Sequence, residues 1–223
     1  MNTYQKNARI VGVLFIIGTV AGILSNVFLG PFLNDPAYLL SSLAANRNKI
    51  VIGSLLVLTM GLSLSIMPVF LYPIFKKYNE PLALGAVVFR GVLEAVIYIM
   101  QALLMLLLIP LSQEFIAADS VSISVYQHLG AFFMSADAWF GYILSIVFSL
   151  GALMIYYVFY QSRLIPRWLS VWGLIGGLLY FAYPMLGMFG TDFGLLMLPL
   201  AVQEMVMALW LIIKGFNSEA VAS

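Results

Sequence analysis

Cysteine is absent from this 223-residue chain, and histidine occurs once, as His128. Without cysteine there can be no disulfide, thiol nucleophile, thiolate zinc site or iron–sulfur cluster. One histidine excludes bis-histidine haem ligation and histidine-clustered metal sites. A Ser-His-Asp triad needs only one histidine, but no serine stands in a Gly-x-Ser-x-Gly elbow. Charge is also scarce. Asp, Glu, Lys and Arg make up 9% of the residues, against about 25% in a typical soluble domain. The net charge of +1 provides no basic surface for nucleic acid.

Apolar residues fill the space that charge leaves. They are 63% of the chain, and the mean hydropathy is +1.05. Such a chain cannot cover itself with polar groups in water, so a lipid bilayer is its expected solvent and first partner. Six apolar runs are long enough to cross it as helices: residues 10–29, 50–74, 82–109, 137–159, 167–189 and 193–213. The expected fold is all-α, a single polytopic transmembrane domain over residues 1–223. The first run is too long for a signal-peptide core, and no clear Ala-x-Ala site follows it.

Basic residues orient the chain. With both termini cytoplasmic, the inner side carries Lys6, Arg9, Lys76, Lys77, Arg163, Arg167 and Lys214, and the outer loops only Arg47 and Lys49. A cell-membrane protein with cytoplasmic ends is therefore expected. The inner connections are short and end at Pro81 and Pro166, each expected in the first turn of the next helix. The outer connections are longer and predict one or two short interfacial helices. One starts at Asn34-Asp35-Pro36 and ends near Asn46. The other, over Val125–Phe133, is either interfacial or an extension of the fourth span. Asp137 reads as a solvated or capping residue at the outer boundary, and His128 as an ordinary interfacial residue. Pro68, Pro184 and Pro199 are expected to kink their helices.

The informative residues are those that oil should reject. Arg90 and Glu94 lie in the third span and Glu204 in the sixth. At the centre of a span each charge costs about 2.5–3.5 kcal/mol, so the three together cost on the order of 8–10 kcal/mol unless they pair. Arg90, Glu94, Tyr98 and Gln101 share one helical face, and Gln203 adjoins Glu204. Arg90 and Glu94 stand four residues apart and can pair. Antiparallel packing brings both glutamates to similar depth. One guanidinium then faces two carboxylates, and the ionised cluster carries a negative charge that a proton, a cation or a ligand donor would complete. The candidate ligand- or ion-binding set is Arg90, Glu94, Tyr98, Gln101, Gln203 and Glu204.

Several membrane activities are excluded by composition. No lysine lies mid-span for a retinal-type Schiff base, a single intramembrane arginine makes no voltage sensor, and no pair of mid-membrane aspartates supports an aspartyl protease.

A family resemblance runs along most of the chain. It is carried by Ala8-Arg9-Ile10-Val11-Gly12, Leu82-Ala83-Leu84-Gly85 leading to Phe89-Arg90 and Glu94-Ala95, Pro166-Arg167-Trp168-Leu169, Gln203-Glu204, Leu209-Trp210 and Lys214-Gly215. In order and spacing these resemble the bacterial integral membrane family known as domain of unknown function 4386. The resemblance implies a multi-pass bacterial membrane protein of about this length, with no activity, substrate or catalytic residue attached. A further acidic residue early in the second span belongs to that pattern; here the run is Leu55-Leu56-Val57-Leu58.

The expected function is binding or transport of a small molecule, lipid or ion at the Arg/Glu cluster, with no cofactor and no metal. Two other readings stand beside it. In one, the cluster only ties helices together in a structural or regulatory module. In the other, a lipid-modifying enzyme uses a glutamate as acid or base beside Arg90.

Overall fold

A computed structural model of the protein describes residues 3–33 and 39–222. Helix α1 (Thr3–Leu33) is followed by short α2 (Leu39–Ala45) and by α3 (Arg47–Phe75). The third rod is composite: α4 (Glu80–Ala86), a π-helical segment (Val87–Leu93) and α5 (Glu94–Ala117). Then come α6 (Ile123–Ser162), α7 (Arg167–Met188), a 3-10 turn (Gly194–Met197), α8 (Leu198–Ile213) and terminal α9 (Ser218–Ala222). Six rods are long and apolar enough to cross a membrane, and there is no strand among the described residues. The architecture is that of a multi-pass membrane protein.

Most spans run past the apolar limits read from sequence, because polar residues at their ends stay helical. The largest difference is α6, which begins at Ile123 rather than Asp137. The stretch around Val125–Phe133 is therefore an extension of the fourth span. The remaining short helix, α2, follows positions 34–36, which lie outside the described residues.

Helix ends follow local chemistry. The Asn79 side chain accepts the Leu82 N–H at 3.2 Å, and Pro81 occupies the first turn of α4. Pro166 sits one position earlier than expected, as the N-cap of α7 with extended backbone. Its carbonyl accepts the N–H groups of Leu169 and Ser170. Pro199 starts α8 rather than kinking it, because the preceding turn is 3-10 and the helix begins at Leu198. Arg163 ends α6 in the left-handed conformation at φ 56°.

Both described ends of the chain meet at one end of the bundle. The Gln5 side chain donates to the Phe216 carbonyl at 2.6 Å and accepts the Phe216 N–H at 3.0 Å. Tyr78 donates to the Ala220 carbonyl, and the Asn217 N–H bonds to the Leu164 carbonyl at 2.9 Å. This termini end therefore gathers the start of α1, the α3–α4 turn, the α6–α7 loop and the C-terminal segment.

Helix α1 packs along α3, and α8 packs against α1 and α7. Gly12 allows close approach, since a Cβ there would lie 2.6 Å from the Ala208 carbonyl oxygen. Two apolar cores result. One, near the termini end, includes Phe15, Met67, Phe75, Phe159 and Met207; the other includes Leu29, Phe32, Ile50, Met105 and Leu108. Between Phe15 and Leu29 on α1, and between Met67 and Ile50 on α3, lies a layer of polar side chains.

Candidate functional site

Arg90 sits in the π-helical segment. The wide turn is marked by the Glu94 N–H bonding to the Phe89 carbonyl, five residues back. Such segments are rare and usually accompany function or a local constraint. Here the constraint is close packing on both sides. A Cβ on Gly151 of α6 would lie 2.9 Å from the Arg90 backbone nitrogen, and one on Gly91 would lie 3.4 Å from the Ser65 carbonyl oxygen. Nothing in the apolar periodicity of residues 82–109 announces this segment.

The three charged side chains meet. Arg90 Nη1 donates to both carboxylate oxygens of Glu94 at 3.2 Å, and Nη2 donates to Glu204 Oε1 at 3.0 Å. The guanidinium carbon lies 4.0 Å from the Phe148 ring centroid, a close cation–π contact. Arg90 and Glu94 are 1% and 0% exposed, whereas the Glu204 side chain is 13% exposed. The cluster is thus asymmetric: the pair within the third span is sealed, and the carboxylate from α8 reaches open space. Arg90 Nε has no hydrogen-bond partner among the described residues.

The remaining candidates separate. Tyr98 is packed beside the cluster, with Gly61 of α3 against its ring. Gln101 lies toward the α2 end, where its Nε2 donates to Asp137 Oδ1 at 3.4 Å. Asp137 is therefore neither a cap nor a free surface group. It stands well inside α6, because that helix starts so early. Gln203 is fully buried, and its Nε2 donates to the Leu169 carbonyl of α7 at 3.0 Å. That bond ties α8 to α7. Tyr156 of α6, fully buried, faces both Glu204 and Gln203 and lies within electrostatic reach of Arg90.

Two cavities overlap here. One, of about 340 Å³, is walled by α1, α3, α5, α6, α7 and α8; it contains Glu204, Tyr98, Ser145, Tyr180, Thr19 and Asn26. The other, of about 300 Å³, contains Asp137, Gln101, Tyr98, Asn26 and Ser25. They share Gly22, Asn26, Met60, Tyr98 and Leu144 as lining residues, so they adjoin, one at Asp137 and the other at Glu204. Carboxylates stand in both parts, and no Lys, Arg or His lines either. Tyr180 and Ser145 could be recognised in sequence only as members of polar stripes on α7 and α6. Their meeting at Glu204 depends on helix rotation, which periodicity does not give.

No group of three or more potential metal-ligating side chains occurs among the described residues. No curated protein and no solved structure matches the chain. Residues 10–215 match the family described as domain of unknown function 4386, which is nearly the whole length, and the protein belongs to that family.

Proposed function

We propose that the protein is a transporter-like or receptor-like membrane protein that binds a small cation, a proton included, in the cavity ending at Glu204. The observation that carries this reading is the charge arithmetic at an accessible group. One guanidinium faces two carboxylates, and Glu204 is the one of the two that lines a cavity. A second carboxylate, Asp137, lines the adjoining cavity, and no Lys, Arg or His lines either one. Low-dielectric walls focus such a field and raise the local concentration of positive solutes. A protein of this type would sit in the cell membrane with its termini in the cytoplasm, as the excess of Lys and Arg at the termini end supports.

Arg90 and Glu94 have a different role in this reading. Sealed from the cavity, they orient Glu204 and join α8 to the third rod. The structural alternative draws support from the same pair, since a closed Arg–Glu bridge with ring stacking is what a helix clamp requires. Glu204 separates the two readings. Purified protein in detergent is titrated with sodium and with methylammonium at constant ionic strength, and the melting temperature is recorded. A binding site gives a saturable rise for at least one cation, because a ligand at 100 times its Kd stabilises by about 2.7 kcal/mol. Glu204→Gln abolishes that rise while keeping a cooperative transition. An identical response in wild type and variant, or no saturable response to either cation, leaves the clamp.

A further inference from the structure

At the termini end a second recess stands apart from the Glu204 cavity. It has a volume of about 470 Å³ and is lined by Arg163, Arg167, Lys214, Trp210 and Asn217, together with the backbone of the α6–α7 loop and the Gly215 turn. Three cations converge on it and no carboxylate lines it. None of the three forms an ion pair among the described residues. The Arg167 guanidinium lies 5.4 Å from the Tyr160 ring, which holds it by a cation–π contact.

The walls are fixed in place. The Asn217 N–H bonds to the Leu164 carbonyl, and Gln5 grips Phe216 through both its donor and its acceptor. Gly215 takes φ +72°, which turns the chain sharply after α8. Arg163, at φ 56°, does the same after α6. Two turns from distant parts of the sequence are thereby locked together with their basic side chains on a shared recess.

We infer that this recess binds the phosphate headgroup of an anionic membrane lipid. Two arginines and a lysine on a concave surface match a phosphate diester, the arginines through paired N–H donors. A lipid, rather than free phosphate, is indicated by the surroundings. Trp168, Leu209 and Ile213 are 54%, 53% and 67% exposed and belong to the same helix ends as the basic residues. They provide an apolar surface for acyl chains beneath the headgroup. Basic recesses between helices on the cytoplasmic side are suited to such lipids. The site is independent of the Glu204 cavity, and its failure would leave that reading untouched.

The test is native mass spectrometry of the full-length protein released from detergent containing equal amounts of phosphatidylglycerol and phosphatidylcholine, with chain-matched tails. Wild type retains phosphatidylglycerol preferentially, at one lipid per protein. The R163Q/R167Q/K214Q variant loses that preference by tenfold or more, while the R47Q/K49Q variant at the opposite end keeps it. A parallel titration of thermal stability checks folding and source. Phosphatidylglycerol raises the melting temperature of wild type but not of the triple variant, and millimolar inorganic phosphate does not reproduce the rise. Equal retention of the two lipids by wild type, an unchanged preference in the triple variant, or full reproduction of the effect by inorganic phosphate overturns the proposal.

Discussion

Arg90 and Glu204 stand 114 positions apart in sequence, yet Nη2 of the one lies 3.0 Å from Oε1 of the other inside the bundle. This bond joins the third rod to α8. With the Glu94 bridge it leaves one carboxylate more than one guanidinium can neutralise. Of the two carboxylates, Glu204 is the one that lines a cavity.

Removing the guanidinium leaves two carboxylates without their counter-charge. Arg90→Met is expected to destabilise the protein by about 3–5 kcal/mol, the usual cost of breaking a buried pair on one side. The triple change R90M/E94Q/E204Q should recover most of that loss. Thermal unfolding in a single detergent measures both, and a triple variant no more stable than the single one would show that the cluster's charge is not the cause.

Close packing at the π-helical segment gives a second expectation. Gly151→Ala places a methyl group 2.9 Å from the Arg90 backbone nitrogen. Neither helix can yield cheaply there, so overpacking should cost about 1–3 kcal/mol. Gly141→Ala on the same helix is the control, since its added Cβ meets nothing within 4 Å. Equal melting temperatures for the two variants would contradict the packing described.

How much of this was legible in the sequence depended on the kind of signal. Three charges in oil must find one another, and their cost alone predicted the Arg90–Glu94–Glu204 meeting. The spans were equally plain, because twenty apolar residues in a row have few other uses. Gln203 shows the limit of adjacency: successive side chains on a helix diverge by about 100°, and its amide nitrogen bonds to the Leu169 carbonyl of α7. Asp137 looked like a boundary residue only because α6 starts at Ile123, within a stretch too polar to be read as a span. The π-helical segment has no signature in the apolar periodicity and is recognised only from its backbone hydrogen bonds.

The carboxylate Asp137 is expected to assist rather than to hold the cation. Asp137→Asn should weaken cation affinity by less than tenfold, whereas Glu204→Gln removes saturable binding. The cation titration of melting temperature distinguishes them, and an equal loss in both would place the binding centre nearer the α2 end.

A pH effect is expected outside the spans, at the start of α6. The Ser122 hydroxyl, and then the Ser122 N–H donating to Asp119 at 2.9 Å, hold the Asp119 carboxyl below the ordinary aspartate range. A depressed value in the folded state means the contribution is present above the unfolded value and is lost as pH falls through the folded one. Hydrogen exchange at the Ser122 amide, corrected for intrinsic rate, should therefore accelerate only in strong acid. Asp119→Asn should shift that dependence, and a protection unchanged by acid would refute the contribution of the Asp119–Ser122 bond.

The absence of cysteine makes the central claim directly measurable. Thr19→Cys and Ser145→Cys each place a single thiol on the cavity that ends at Glu204. Their reaction rates with a cationic and an anionic methanethiosulfonate of similar size report both water access and sign of charge. Both thiols are predicted to react, the cationic reagent faster by tenfold or more, with Glu204→Gln narrowing the ratio. Unreactive thiols, or equal rates for the two reagents, would contradict a cation-attracting cavity at Glu204.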